Sequence, residues 1–433
     1  MNTWFRNSNF LYGLVIGLFI VSFLSSNERA EDYGRGLQST SRELVKGKNS
    51  FRIATFGSAQ TWGAGMDSRY GAYPYLLSNE VDNYAFFSAG PNYPSVCTES
   101  LIGDDHLYDV IVLEYWLKAR EGLPELARRL RQRFPQAVII MLKIWGPYHG
   151  RRVLVDNNGT ATGVEMTFRE WKESVGGGNI AKLSSLLRND TCEWYFPEHH
   201  QADEIIAEAA KNTSSFIVEI PHSGDAKTTI ADHLDWFEEF DNAHLSPTGH
   251  AVVANHTRGT IMNALMGESV LELANSGTYG NWGEGDDCHL WYTTGGASLS
   301  YSDTLKMNEF NNDLGKFALE VTDDAGGWFE VDNPFSDNRM LYLSYLATDE
   351  GVYPKTNITI SGVSLTLNPV TTLDKKKANL IHTVPVIELP HGVSTINIIP
   401  LEKTSEFFRL VGLTFTNGIA VPLEYGFGPQ FNL

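Results

Sequence analysis

The sequence predicts an α/β domain built on a parallel sheet, followed by an all-β sandwich. Two observations carry the first half. Short runs rich in β-branched and aromatic residues alternate with helical patterns, and the runs are apolar on both faces, as buried parallel strands are. A third observation carries the second half. From about Asn275 the chain turns to Gly, Asn, Asp and Thr turns between alternating runs such as "MLYLSYLA", "TNITISGVSLTL" and "FFRLVGLTFT", and long helical periodicity ends.

The strands expected of the α/β domain are "FRIATFG" (51–57), "NYAFFSA" (83–89), "DVIVLEY" (109–115), "AVIIMLKI" (137–144) and "SSFIVEI" (214–220). Helices are expected near 72–81, 123–134, 201–211 and 247–265. Such alternation places helices on both faces of the sheet, and ligands of such sheets sit beyond the carboxyl ends of the strands. The glycines at 176–178 lack the strand-to-helix setting of a phosphate loop. The expected organisation is a signal peptide or signal-anchor (1–30), a polar linker (31–50), the α/β domain (51–270) and the β-sandwich (275–433).

At 433 residues the chain is long for one hydrophobic core. Its 42% hydrophobic and 20% charged residues are those of an ordinary globular protein. A formal charge of −19 excludes the basic footprint that a phosphate backbone requires, so nucleic acid is not an expected partner. Around the one basic run, "ARRLRQRF", Leu123, Ala127, Leu130 and Phe134 recur at helical spacing between the charges, and the run reads as a solvated helix face.

Behind Arg6 stands an uncharged apolar run, Phe10 to Leu24, the pattern of a secretory h-region or short signal-anchor. It falls short of the roughly 20 residues a spanning helix needs, and the small-residue cleavage pattern is poor. Removed signal and retained membrane anchor both stay open; either places the rest of the chain in the secretory pathway, lumenal or extracellular. Asn158, Asn189, Asn212, Asn255 and Asn357 each begin an N-x-S/T sequon. The three cysteines, Cys97, Cys192 and Cys288, allow at most one internal bridge. Cys97 with Cys192 is the pairing expected inside the first domain, and three buried free thiols are the alternative.

Two blocks carry the chemistry. "FGSAQTWGAG" ends the first strand, and "DNAHLSPTGH", Asp241 to His250, closes the α/β segment. In this order and at these positions they resemble the SGNH hydrolases, the GDSL-type esterases and lipases, over roughly residues 51–267. The resemblance implies a flavodoxin-like α/β/α sandwich, a serine nucleophile, a glycine and an asparagine at the oxyanion hole, and a histidine base oriented by an aspartate. Asp241 and His244 match D-x-x-H, with Asp241 fixing the imidazole tautomer. Pro247 opens the next helix with Ser246 as its cap. Gly90, in "SAGPNYP", stands at the oxyanion glycine, with Ala59 as the other oxyanion-hole position. No asparagine follows the third strand. Glu114, Tyr115 and Trp116 stand there instead, and Glu114 reads either as a hydrogen-bonding support or, more plainly, as a strand-end carboxylate reaching solvent.

Laid without gaps on F-G-D-S-x-T-x-G, the first block puts Ser58 at the aspartate and Ala59 at the nucleophile. Ser58 is then expected to keep the local bonds of the aspartate by capping the turn. A shifted register would make Ser58 the nucleophile. The expected protein is therefore a degenerate binder of a small-molecule or carbohydrate ester, acylated carbohydrate or lipid-type. Two alternatives stay open: an active esterase or acyltransferase using Ser58, His244 and Asp241, and an adhesion or scaffold protein recognising glycans through its β domain. Neither cofactor nor metal is expected; His199 and His200 in "PEHH" lack the i, i+4 spacing of a helical metal pair, and the carboxylates of "DHLDWFEEFD" read as an acidic solvated loop. Trp291 and Trp328 are expected to pack the sandwich core before serving as a sugar platform.

Overall fold

The computed structural model describes residues 51–85, 90–102, 106–116, 122–153, 163, 166–196, 199–220, 225–239, 242–265, 287–290, 299–309, 317–348, 352–370 and 380–416. The apolar run 10–24 lies outside them. Among the described residues no helix is long and apolar enough to cross a membrane. The chain divides into two compact units, Met1–Asn49 with Met262–Val270, and Ser50–Ile261 with Leu271–Leu433. The second holds both sheet systems.

The first sheet runs in the order β2-β1-β3-β4-β8, all parallel: β1 is Arg52–Gly57, β2 Glu80–Asn83, β3 Val110–Glu114, β4 Val138–Ile144 and β8 Phe216–Ile220. This is the flavodoxin-like order, in which the direction of winding reverses between β1 and β3 and leaves a crevice at their carboxyl ends. In the register Gly57 faces Glu114. The central strands are buried on both sides: Ala54, Phe56, Ile111, Leu113, Ile139 and Met141 share one core with Leu126, Leu130 and Ile206, and Ile53, Val110, Val112, Ile140 and Leu142 are buried on the opposite face. The second strand departs from expectation. It pairs at Glu80–Asn83, beginning upstream of the expected 83–89, of which residues 86–89 lie outside the described ones; as an edge strand its Glu-Val-Asp-Asn sequence meets water.

The basic helix Gly122–Arg133 corrects another expectation. Arg128 and Arg129 are buried, not solvated, and both pair with buried Glu125 at 2.7 Å. Arg131 caps the end of β4's approach by donating to the carbonyls of Ala137, Thr213 and Ser214.

Between β4 and β8 the chain makes an excursion that the sequence patterns did not reveal. Short strands β5 (Arg151–Val153), β6 (Met166–Thr167) and β7 (Glu193–Tyr195) form a small sheet beside helices Phe168–Ser174 and Ile180–Arg188. Phe168, Trp171, Leu183, Leu187 and Trp194 give it a core of its own with Ile230 and Leu234. Its first helix starts on a capping box, Thr167 with Glu170.

The second half is an antiparallel sandwich. One sheet has the order β10 (Leu305–Glu309), β11 (Phe317–Val321), β18 (Arg409–Thr416), β13 (Arg339–Ala347) and β16 (Leu380–Leu389), with β9 (Asp287–Leu290) against β18; the other has the order β12 (Gly327–Asn333), β17 (Gly392–Pro400), β14 (Thr356–Ile360) and β15 (Val363–Leu367). Phe329, Val331, Leu343, Ile358, Ile396, Phe408 and Leu413 fill the space between. Trp328 does not join them. It stands 40% exposed on the outer face of β12 (Gly327–Asn333), because Phe329 takes the inward position of the alternation. Trp291 lies outside the described residues.

The disulfide also differs from expectation. Cys97 pairs with Cys288, and Cys192 is a buried free thiol. Around the bridge, Tyr93 and Cys97 of the first half pack with Tyr342, Leu346, Ile381 and Val411 of the second. The apolar sides of helix Asn92–Val96 are thus shared between the α/β and β parts, which brings position 288 to Cys97 and leaves Cys192 in the excursion.

Candidate functional site

The site is built where β1 and β3 end. β1 gives way at Ser58 to a single turn of helix, Ala59–Trp62, closed by Gly63 in the left-handed region (φ 97°). Gly57 has to be glycine: a Cβ there would lie 1.9 Å from Thr61 Oγ1 and 3.0 Å from Glu114 Oε2. That close approach lets one carboxylate serve the whole turn. Glu114 Oε2 accepts from the Ser58 amide (3.0 Å), the Ser58 hydroxyl (3.0 Å) and the Thr61 hydroxyl (3.1 Å).

Glu114 is therefore buried among donors and does not reach solvent. Ser58 makes no side-chain capping bond; its hydroxyl turns back to Glu114 instead. A hydroxyl has one proton, and here it is given to the carboxylate. Thr61 extends the network to the Tyr73 hydroxyl at 2.8 Å. Burial, and after it Glu114, pushes the Tyr73 and Tyr115 phenols well above their ordinary range, so both remain neutral beside the carboxylate.

Gln60 ties this turn to the second motif. Its Nε2 donates to Ala243 O at 2.5 Å, and its Oε1 accepts from Leu245 N at 2.9 Å. One side-chain amide thereby brackets His244. The histidine's own backbone is fixed from the other direction, because Glu238 N–H donates to His244 O at 2.8 Å next to the Phe237–Leu245 bridge. Gly65 (φ 89°) leaves room for this approach: a Cβ on it would sit 2.8 Å from Glu238 Cγ and 3.3 Å from His244 Cβ. Asp241 lies outside the described residues. The positions flanking it are held by Lys172, whose ammonium donates to Glu239 O and, at 2.8 Å, to Asn242 Oδ1.

Ser246 caps the helix Pro247–Leu265 as its sequence suggested, accepting from Gly249 N at 3.2 Å. On that helix His250 is fully buried and its Nδ1 accepts from Tyr73 N at 3.1 Å. Burial, reinforced by His244, lowers its pKa to about 4. Gly90 is buried and stands just before helix Asn92–Val96, which leads to Cys97. Ser58, Ala59 and Glu114 thus meet at one end of the sheet with the His244 loop roped to them by Gln60. Gln60 and Lys172 were invisible to motif reading; the sole signal for Gln60 was its place in the same block as Ser58.

His199 enters an aromatic box instead of a metal pair. Its ring lies 5.3 Å from Trp116 and 5.9 Å from His149, and Trp116 and Trp145 are 4.3 Å apart. Among the described residues no group of three or more His, Cys, Asp or Glu is placed to hold a metal ion.

No family model matches the chain. No curated protein matches it either. Among solved structures the chain is similar to a two-domain esterase active on acetylated mannans, co-crystallised with mannopentaose, with 12% identity over 84% of this chain and 90% of that one and a TM-score of 0.49. It is similar over 30% of its length to family 35 carbohydrate-binding modules. The one from Clostridium thermocellum is 12% identical and 97% covered with a TM-score of 0.23; the one from Paenibacillus barcinonensis is 14% identical and 98% covered, also at 0.23.

Proposed function

We propose that this chain is an SGNH-hydrolase-like protein of the secretory pathway that has lost its nucleophile and binds an acylated carbohydrate or lipid-type ligand without turning it over. The observation that carries the proposal is the bond from Ser58 to Glu114. A serine nucleophile must give its proton to a base as it attacks. Ser58 gives its proton to a buried carboxylate, in the place of the family's aspartate, and the position that follows is Ala59. A methyl group cannot be activated. Gln60 meanwhile ties the His244 loop to the turn by bonds to Ala243 O and Leu245 N, which supports a ligand site kept at this end of the sheet. The apolar run at 10–24 and the Cys97–Cys288 bridge support an oxidising, secretory compartment.

The test is ester hydrolysis by the purified ectodomain and by Ala59→Ser. The wild type is expected to be silent towards p-nitrophenyl acetate, and Ala59→Ser to gain turnover that His244→Ala removes. Wild-type turnover abolished by Ser58→Ala would establish instead a working esterase with a shifted register.

A further inference from the structure

The outer face of the sheet β12-β17-β14-β15 carries a pair of residues that the proposed chemistry leaves unused. Asn357 and Thr359 stand two apart on β14, and Ile358 between them is fully buried in the sandwich core. In extended backbone, residues two apart share a face, so amide and hydroxyl come together: Asn357 Nδ2 donates to Thr359 Oγ1 at 3.4 Å. They are the first and third residues of an N-x-T acceptor. The helical acceptor at Asn255 is the contrast. A step of two residues there turns through about 200°, which leaves Asn255 exposed and Thr257 fully buried.

The register fixes what surrounds Asn357. Ile399 of β17 faces it directly, and Thr366 of β15 faces it from the other side. Two residues along, Trp328, Asn397, Thr359 and Ser364 form one row across the four strands. Trp328 is 40% exposed and Ile399 42%, an apolar step among hydroxyls and amides. From Asn357 to Trp328 is two strand spacings across, about 10 Å, and two residues along, about 7 Å.

We propose that Asn357 is N-glycosylated and that the first two sugar rings of its glycan lie across Ile399 and Trp328. The co-reactant is an oligosaccharide linked through C1 to a lipid diphosphate. Nδ2 attacks C1; the C1–O bond to the diphosphate breaks as the C1–N bond forms, Nδ2 yields one proton to the transferase, and the lipid diphosphate leaves. Nδ2 carries two protons, and the one not directed at Thr359 is the one replaced. The folded strand keeps both acceptor groups on the water side, so the attached sugar stays clear of the core. An indole face is negative and attracts the weakly positive C–H face of a pyranose, and covering Ile399 and Trp328 removes apolar surface from water. The inference rests on the secretory reading of the chain.

To test it, the full chain is made in a eukaryotic host, once with its own leader and once behind an unrelated cleavable signal peptide. Glycans are released by peptide N-glycosidase in heavy-oxygen water, and the labelled sites are mapped by mass spectrometry. Label at Asn357 from both forms is the expected result. Label at other acceptors with Asn357 bare overturns the site and keeps the secretory reading. Label at Asn357 only behind the unrelated signal overturns the secretory reading and supports the site, whereas no label anywhere in either form overturns the site. For the seat of the sugar, Asn357→Gln is expected to lower the melting temperature by about 2 °C, with most of that shift lost in a Trp328→Ala background. A shift that is absent, or equal in both backgrounds, overturns the seat on Trp328.

Discussion

Ser58 gives both its amide and its hydroxyl proton to a single oxygen of Glu114, each at 3.0 Å, although 56 residues separate them in sequence. The turn that ends β1 is therefore organised around a carboxylate from β3. Removing that carboxylate strands three donors in a buried place. Glu114→Ala is expected to destabilise the fold by about 3 kcal/mol or more, since each buried unsatisfied group costs about 1–3 kcal/mol. Glu114→Gln, which keeps an acceptor oxygen, should lose less. Urea denaturation of the two variants measures the difference.

Gly57→Ala tests the close packing beneath the same turn. The new methyl would lie 1.9 Å from Thr61 Oγ1, on a fully buried side chain bonded to Glu114 and Tyr73. A loss of about 3 kcal/mol, the upper end for overpacking, is expected in the denaturation midpoint.

Gln60→Ala removes both bonds that bracket His244. At about 1 kcal/mol for each bond the stability loss is about 2 kcal/mol. Gln60→Glu retains an acceptor for Leu245 N but sets a carboxylate oxygen against Ala243 O, so it should be no better tolerated. In an Ala59→Ser background, both changes are expected to lower any gained turnover; single-turnover kinetics reads the effect.

His250 makes stability depend on pH. Its folded pKa, about 4, lies below the ordinary 6.5, so the unfolded state takes up the proton first as pH falls. Its contribution is complete above pH 6.5 and is lost progressively down to about pH 4. The full shift corresponds to about 3 kcal/mol. Between pH 7 and pH 5 the wild type is expected to lose about 2 kcal/mol on this account, and His250→Asn to lack that part of the slope. Denaturation curves at the two pH values provide the check.

Much of the fold was legible because the central strands are buried on both faces. "DVIVLEY" and "AVIIMLKI" announce β3 and β4 within a residue or two at each end. The start of the edge strand was missed for the opposite reason: Glu80–Asn83 is polar, and its pairing with β1 leaves no hydrophobic mark. In the excursion, strands of two and three residues are too short to show a period. The arginines of "ARRLRQRF" read as solvated because Glu125, which neutralises two of them, counts in a sequence as one more surface charge. At the candidate site, the motifs singled out Ser58 and His244, but the bonds that hold their backbones are long-range. Glu114 and Gln60 act across 56 and about 184 residues, and Lys172 reaches Asn242 from a helix 70 residues away. The cysteine pairing failed likewise, since a bridge of sequence separation 191 follows from how the two halves pack and not from proximity along the chain.

That bridge has a practical corollary. Cys97 and Cys288 fasten the helix beyond Gly90 to strand β9, so a protease that nicks the chain once anywhere between them releases nothing. The two pieces travel together on a gel until a thiol is added, and the nicked molecule keeps its halves in stoichiometric company.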